Sequence, residues 1–317
     1  MNPLNFKPLI SQAHISQAYS QIASYIRKTP TITLGSGAFG ISAPLTLKLE
    51  LLQHSGSFKA RGAFSRILQS KVPATGVIAA SGGNHGAAVA YAARELHYPA
   101  EIFVPTISSS TKVKRLETYG AHVVVTGADY FEALEESEKR AQQTGGLIVH
   151  AFNQPEIIAG QGTLALELEQ QAPELDTILV SVGGGGLIAG LAAWYQDRCK
   201  VVGTEPVLAP SLYNSLAAGK RVDVTVGGIT SDALGCRRVG ELMFPIAQAY
   251  VDEVVLVEDE AIAQAQKLLW EDLRIVAEPA GVVPLAALIS GAYQPKPNER
   301  IGLIICGGNT DLSKLCS

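Results

Sequence analysis

An α/β fold built on two open, mostly parallel sheets with helices on both faces is what this sequence predicts, and three observations carry it. Short β-branched runs alternate with Ala/Leu-rich amphipathic stretches along most of the chain, the rhythm of βαβ units. Some runs are apolar throughout, as in Thr177-Ile-Leu-Val-Ser-Val182, which suits strands covered on both faces. Gly-rich turns follow several of these runs, at the carboxyl ends where such sheets bind their ligands.

Taken in order, the β-branched runs at 76–80, 101–104, 122–126 and 147–150 read as strands. The stretches between them, 86–96, 112–119 and 131–143, read as helices. A helix at 157–171 leads to strand 177–182, helix 187–194 and strand 200–204. Helices at 258–273 and 279–289 precede a last strand at 300–306. Three consecutive units near 71–147 are expected to form a smaller inserted domain, with 1–70 and 148–317 making the larger one. No repeat or low-complexity linker marks the boundary.

The 317 residues are 47% hydrophobic and 17% charged, enough apolar material for a large core. A net charge of −4 without a Lys/Arg cluster argues against nucleic acid or an anionic membrane as partner. The partner expected is a small molecule. Residues 1–14 show no secretory pattern, and no apolar run reaches the ~18 residues of a membrane helix. Cys199, Cys236, Cys306 and Cys316 have no metal-ligand spacing and read as reduced thiols of a cytoplasmic protein.

Four loops carry the chemistry. Gly183-Gly184-Gly185-Gly186 follows a strand and leads through Leu187 into a helix. Glycines there cost backbone entropy but leave amide N–H groups unobstructed at a helix start, where an anion is favoured. The spacing is neither GxGxxG nor a P-loop, so one phosphate fits better than a dinucleotide. A closely packed turn without a ligand is the plain alternative. Ser81-Gly82-Gly83-Asn84-His85-Gly86 is a second such turn, whose amides and Ser81 hydroxyl suit a carboxylate. Asn84 offers both donor and acceptor to a phenolic oxygen, although Asn is as often present in such turns for its backbone.

A lone lysine at a helix start is usually a solvated charge. Lys59, in Ser55-Gly56-Ser57-Phe58-Lys59-Ala60-Arg61-Gly62, sits against an aromatic with an apolar segment behind it. Partial desolvation of this kind lowers an amine's pKa and suits Schiff-base chemistry. In the fourth loop Cys306 ends a strand and meets Gly307-Gly308-Asn309; a buried inert thiol is the alternative there.

Together the four loops resemble the fold-type II pyridoxal-5′-phosphate (PLP) enzymes, of tryptophan-synthase-β-like architecture. Specifically, they resemble the serine/threonine dehydratase and serine racemase branch. All four stand in the family's order, supported by Ala159-Gly160-Gln161-Gly162-Thr163 and Glu278-Pro279-Ala280-Gly281, and the similarity runs from about 29 to 312. The resemblance implies that Lys59 carries PLP and moves the substrate's Cα proton. It implies that Asn84 bonds the ring oxygen, that Gly183, Gly184, Gly185, Gly186 and Leu187 hold the phosphate, and that Cys306 faces the pyridine nitrogen. Phe58 would pack on the cofactor, and Asn153 lies in a stretch similar to one lining the family's site. Ser81, Gly82, Asn84 and His85 would form the loop that takes the substrate's carboxylate. A homodimer and a small hydroxy-amino-acid substrate follow in the same way.

Departures narrow the reaction. A thiol at Cys306 cannot keep a ring nitrogen protonated as a carboxylate would, which favours prompt departure of a group from Cβ over a long-lived carbanion. Racemases of the family have a serine where Gly82 stands here. Dehydration of L-threonine or L-serine to a 2-oxo acid and ammonia is therefore expected. The alternatives are a serine or hydroxyaspartate racemase/dehydratase and a non-catalytic PLP-binding protein. Ala60 and His85 depart from the Asp and Thr of the β-replacement and threonine-synthase branches. Ser231 and Asp232 are candidates for choosing the substrate. Glu205 and Ala209 match two ligands of a divalent-cation site in some relatives, but Ser211 replaces the acidic third, a thin hold for a hard cation. The short stretch after Asn309 leaves no room for a regulatory domain, so feedback control is not expected.

Overall fold

The computed structural model describes residues 9–311; Cys316, Leu312 and the extreme ends of the expected larger domain lie outside the described residues. The chain opens with helix α1 (Gln12–Ile22), which Ser11 caps by accepting from the His14 amide. Strands β1 (Thr31–Leu34) and β2 (Leu45–Lys48) form an antiparallel pair. Helix α2 (Lys59–Leu68) follows. The next segment alternates β3 (Val77–Ala80), α3 (Asn84–Glu95), β4 (Ala100–Val104), α4 (Ser110–Thr118), β5 (His122–Val125), α5 (Tyr130–Thr144) and β6 (Leu147–Ile148). Then come α6 (Pro155–Gln171), β7 (Thr177–Ser181), α7 (Gly186–Tyr195), β8 (Lys200–Pro206), α8 (Ser211–Ala218), α9 (Ser231–Leu234) and α10 (Phe244–Tyr250). The chain closes with β9 (Glu253–Val257), α11 (Asp259–Leu273), α12 (Pro279–Ile289) and β10 (Ile301–Ile304).

Two sheets result, ordered β1-β2-β10-β7-β8-β9 and β5-β4-β3-β6. Apart from β1 against β2, every pairing between these strands is parallel. The smaller sheet is the one expected from the run of three βαβ units. The central strands β3, β7 and β10 are buried at every residue, which suits their largely apolar runs; β2 is equally buried although it carries Thr46 and Lys48.

Helix α6 packs tightly on α2 and α7. A Cβ on Gly160 would come within 2.8 Å of the Gly62 Cα, so the Ala159–Thr163 motif serves close helix approach. At the same crossing lies an ionic cluster without solvent contact, formed by Lys48, Glu50, Arg61 and Glu167. Arg61 donates to Glu50 at 2.7 and 2.8 Å and twice to Glu167 at 2.8 Å, while Lys48 Nζ lies 2.9 Å from Glu167. Two cations balance two carboxylates there, and Arg61 sits two residues beyond Lys59 on α2.

Candidate active site

The turns that follow β7 and β10 in one sheet, and β3, β4 and β6 in the other, open on a shared cavity of about 840 Å³. It gathers the cofactor and substrate residues named from the sequence: Phe58 and Lys59, the Ser81–His85 loop, Asn153, the Gly183–Leu187 turn and Cys306. Ser231 and Asp232 also line it; Glu205 and Ala209 do not.

Lys59 is the first residue of α2. Its Nζ donates to the Ala151 carbonyl at 2.8 Å and lies 5.2 Å from the Phe58 ring centre. Burial pulls its pKa down to about 8, against the smaller opposing pull of Cys236, Cys306 and Glu278. At pH 7 roughly a tenth of such amines are neutral and nucleophilic, against fewer than one in a thousand for a free lysine. The rate at which apoenzyme takes up PLP is therefore expected to rise with pH, reach half its maximum near pH 8 and level off about a unit above. Stopped-flow absorbance would check this; a rate still climbing steeply at pH 10 would contradict the lowered value.

The tetraglycine turn fits a phosphate. Among the described residues, no protein acceptor takes the amides of Gly183, Gly184, Gly185 or Gly186, and they stand at the start of α7. Gly185 has φ +88°, and a Cβ on Gly184 would lie 2.2 Å from the Phe152 ring. Only glycine lets the backbone approach both neighbour and anion here. Gly184→Ala is expected to weaken PLP binding at least tenfold while the chain remains folded, as measured by titrating apoenzyme with PLP.

Asn84 begins α3 with both ends of its amide engaged. It donates to Glu278 Oε1 at 2.6 Å and accepts from Asn309 Nδ2 at 2.6 Å. Arg115 Nη2 reaches Asn309 Oδ1 at 2.6 Å, extending the network across from α4. Burial pushes the Glu278 carboxyl up to about 7, although the Asn84 bond and the Arg115 charge oppose this. The sequence reading gave His85 to the carboxylate loop. Its ring instead turns inward, and Nε2 donates to the Val149 carbonyl at 2.8 Å, which leaves the backbone amide for a ligand. Burial, reinforced by the Lys59 charge, drops the His85 pKa to about 3 and that of nearby His150 to about 4. Both rings are neutral near pH 7.

Asn153 accepts from the Leu242 amide at 3.0 Å and holds the 240–242 turn beside Gly184. Cys306 is buried with its thiol 3.5 Å from the Ala280 carbonyl, and burial pushes its pKa up, so it stays a neutral thiol. Glu205 and Ala209, the candidate cation ligands, are both engaged within the chain. Glu205 caps the first turn of α8, accepting from the Leu212 and Tyr213 amides at 2.8 Å and from Ser211 Oγ at 3.1 Å. The Ala209 carbonyl accepts from the Ser211 amide, and no group of three His, Cys, Asp or Glu suited to a metal occurs among the described residues.

Sequence reasoning missed several cavity residues: Ser108, Tyr130, Cys236 and Arg237. None lies in a glycine turn, so no local pattern singles them out. Glu278 was visible only as part of a motif; a Glu just before a proline-started helix was its one signal.

A buried amine of lowered pKa, an anion cradle of open amides and a carboxylate-sized turn facing one cavity define a site for a phosphorylated carbonyl cofactor. The profile of the family described as "Pyridoxal-phosphate dependent enzyme" matches residues 22–307, and the chain belongs to that family. It is similar to an L-threonine ammonia-lyase of Geobacter sulfurreducens, 37% identical over 95% of this chain and 76% of that one. It is similar to a serine racemase of Oryza sativa subsp. indica, 36% identical over 95% of this chain and 91% of the relative. The solved structure of maize serine racemase superposes with a TM-score of 0.91 at 34% identity, covering 97% of this chain and 96% of that one.

Proposed function

We propose that this enzyme is an ammonia-lyase that removes the β-hydroxyl of L-threonine or L-serine, giving a 2-oxo acid and ammonia. The observation that carries the reading is Gly82. A racemase needs a second acid/base on the face of Cα away from its lysine, and the residue standing where the family's racemases have serine brings no side chain. The neutral Cys306 thiol supports the same reading.

Bound in this cavity, PLP would draw electrons from the amino acid's Cα, acidify its proton and ease loss of a group from Cβ. The open amides of Gly183 to Gly186 would hold the phosphate, Lys59 would form the covalent anchor, and Asn84, with one amide hydrogen on Glu278, would turn its other toward the ring oxygen. The first-turn amides of α3 bind the substrate's carboxylate. Once released from its anchoring role, the Lys59 amine would take the Cα proton and, as the ammonium so formed, pass it to the β-hydroxyl, which leaves Cβ as water. The enamine set free tautomerises and hydrolyses to the 2-oxo acid and ammonia. Neutral His85 and His150 leave Lys59 as the base with the fitting pKa.

The test is to incubate holoenzyme with L-serine and L-threonine and measure 2-oxo acid, ammonia and enantiomer composition together. Equimolar oxo acid and ammonia with negligible D-amino acid is the expected result. D-serine forming faster than pyruvate would replace the lyase reading with the racemase one.

A further inference from the structure

Most polar side chains around the Ser81–Gly86 turn are already committed. Ser81 Oγ folds back to accept from the Gly83 amide at 3.2 Å, keeping its own hydrogen to donate. Asn84 gives one amide hydrogen to Glu278 and its oxygen to Asn309, its other hydrogen being the one assigned to the cofactor, and the His85 ring is taken by Val149. Ser108 differs. It lies in the turn after β4, lines the same cavity, and among the described residues its hydroxyl has no hydrogen-bond partner. Its Oγ stands 3.1 Å from where a Cβ on Gly82 would be, so the missing side chain at Gly82 is what leaves this hydroxyl uncovered.

We infer that Ser108 is a substrate-binding residue whose hydroxyl donates to the carboxylate of the amino-acid substrate, beside the first-turn amides of α3. This rests on the reading of the site as one for amino acids. A hydroxyl facing a cavity beside open amides is a donor without an internal acceptor, and an incoming carboxylate supplies one. Gly82 and Ser108 then act as a pair: the glycine clears the space, and the serine, from the neighbouring strand's turn, reaches into it.

The experiment compares steady-state kinetics of wild-type and Ser108→Ala holoenzyme, each with its PLP content and thermal midpoint measured. With L-threonine the variant is expected to show a KM raised roughly tenfold, the size of one lost charge-assisted hydrogen bond, and a kcat changed by less than about threefold. The inhibition constant of L-threoninamide, which lacks the carboxylate charge, is expected to move by less than about threefold. Gly82→Ala, whose methyl would press on Ser108, is expected to reproduce the KM effect. An unchanged KM for Ser108→Ala, a loss confined to kcat, or equal weakening of the acid and the amide would each overturn the assignment. Should wild type release no 2-oxo acid, the lyase reading fails on its own; L-threonine binding, followed by the cofactor's absorbance, would then decide Ser108 in the same way.

Discussion

Lys59→Ala is expected to lower 2-oxo acid release from L-threonine by about 10⁴-fold or more, with no other side chain able to compensate. The size follows from two duties falling on one atom. In the proposed mechanism Lys59 Nζ is both the covalent anchor and the base, and it is a cavity-lining amine whose pKa burial brings down to about 8. The neighbouring Lys112 is paired with Asp232 at 2.9 Å and cannot replace it. His85 and His150, held to about 3 and 4, are too weakly basic to take over near neutral pH. The purified variant should also lose the absorption band of lysine-bound cofactor while still binding PLP through the tetraglycine turn. Residual activity above about 1% of wild type would assign the proton transfer elsewhere.

The second large effect is on stability. Arg61→Ala leaves Glu50 and Glu167 facing each other with Lys48 alone against them, in a place none of the four shares with solvent. Breaking a buried charge cluster by removing one partner costs about 3–5 kcal/mol, because carboxylates remain desolvated and under-paired. Arg61→Lys should recover little of this, since one ammonium cannot reproduce the forked donation to two carboxylates. Urea unfolding of apoenzyme measures the loss. Arg140→Ala serves as the comparison: its bidentate pair with Glu101 at 2.8 Å lies at the surface, where such pairs contribute about 0–1 kcal/mol. A cost for Arg61→Ala as small as that would mean the cluster relaxes or admits water.

Strands such as β3 and β7 were legible because burial on both faces turns them into continuous apolar runs. The hairpin β1–β2 was not, since its four-residue strands intersperse Thr and Lys with Ile and Leu, and Lys48 is buried only because Glu167 meets it. Strand β9 sits at the sheet's edge with exposed Glu253, which weakened its pattern, and the short helices α8 to α10 carry too few turns to show a period. Helix α3 starts at Asn84 rather than at 86, with Gly83 at its N-cap position. In the site, glycine turns and Lys59 announce themselves locally. The partners that fix their state do not: Glu278 is 194 residues from Asn84, and the Ala151 carbonyl that receives Lys59 carries no sequence signature. The same distance effect explains the cation reading, where Glu205 was matched without sight of the α8 amides that occupy it.

The Arg61–Glu167 contact joins residues 106 apart, and every strand of the smaller sheet falls inside that interval. The chain thus leaves a charged clasp, builds a complete sheet, and returns to the same clasp. Closing so long an excursion costs only slowly growing entropy, about 0.6 kcal/mol for each doubling of its length. Insertions or exchanged segments within it are therefore tolerable in thermodynamic terms, as long as the clasp still shuts. That separates two kinds of variation: turns on the small sheet can drift and reshape the cavity, while Lys59, two residues from the clasp, stays where it is.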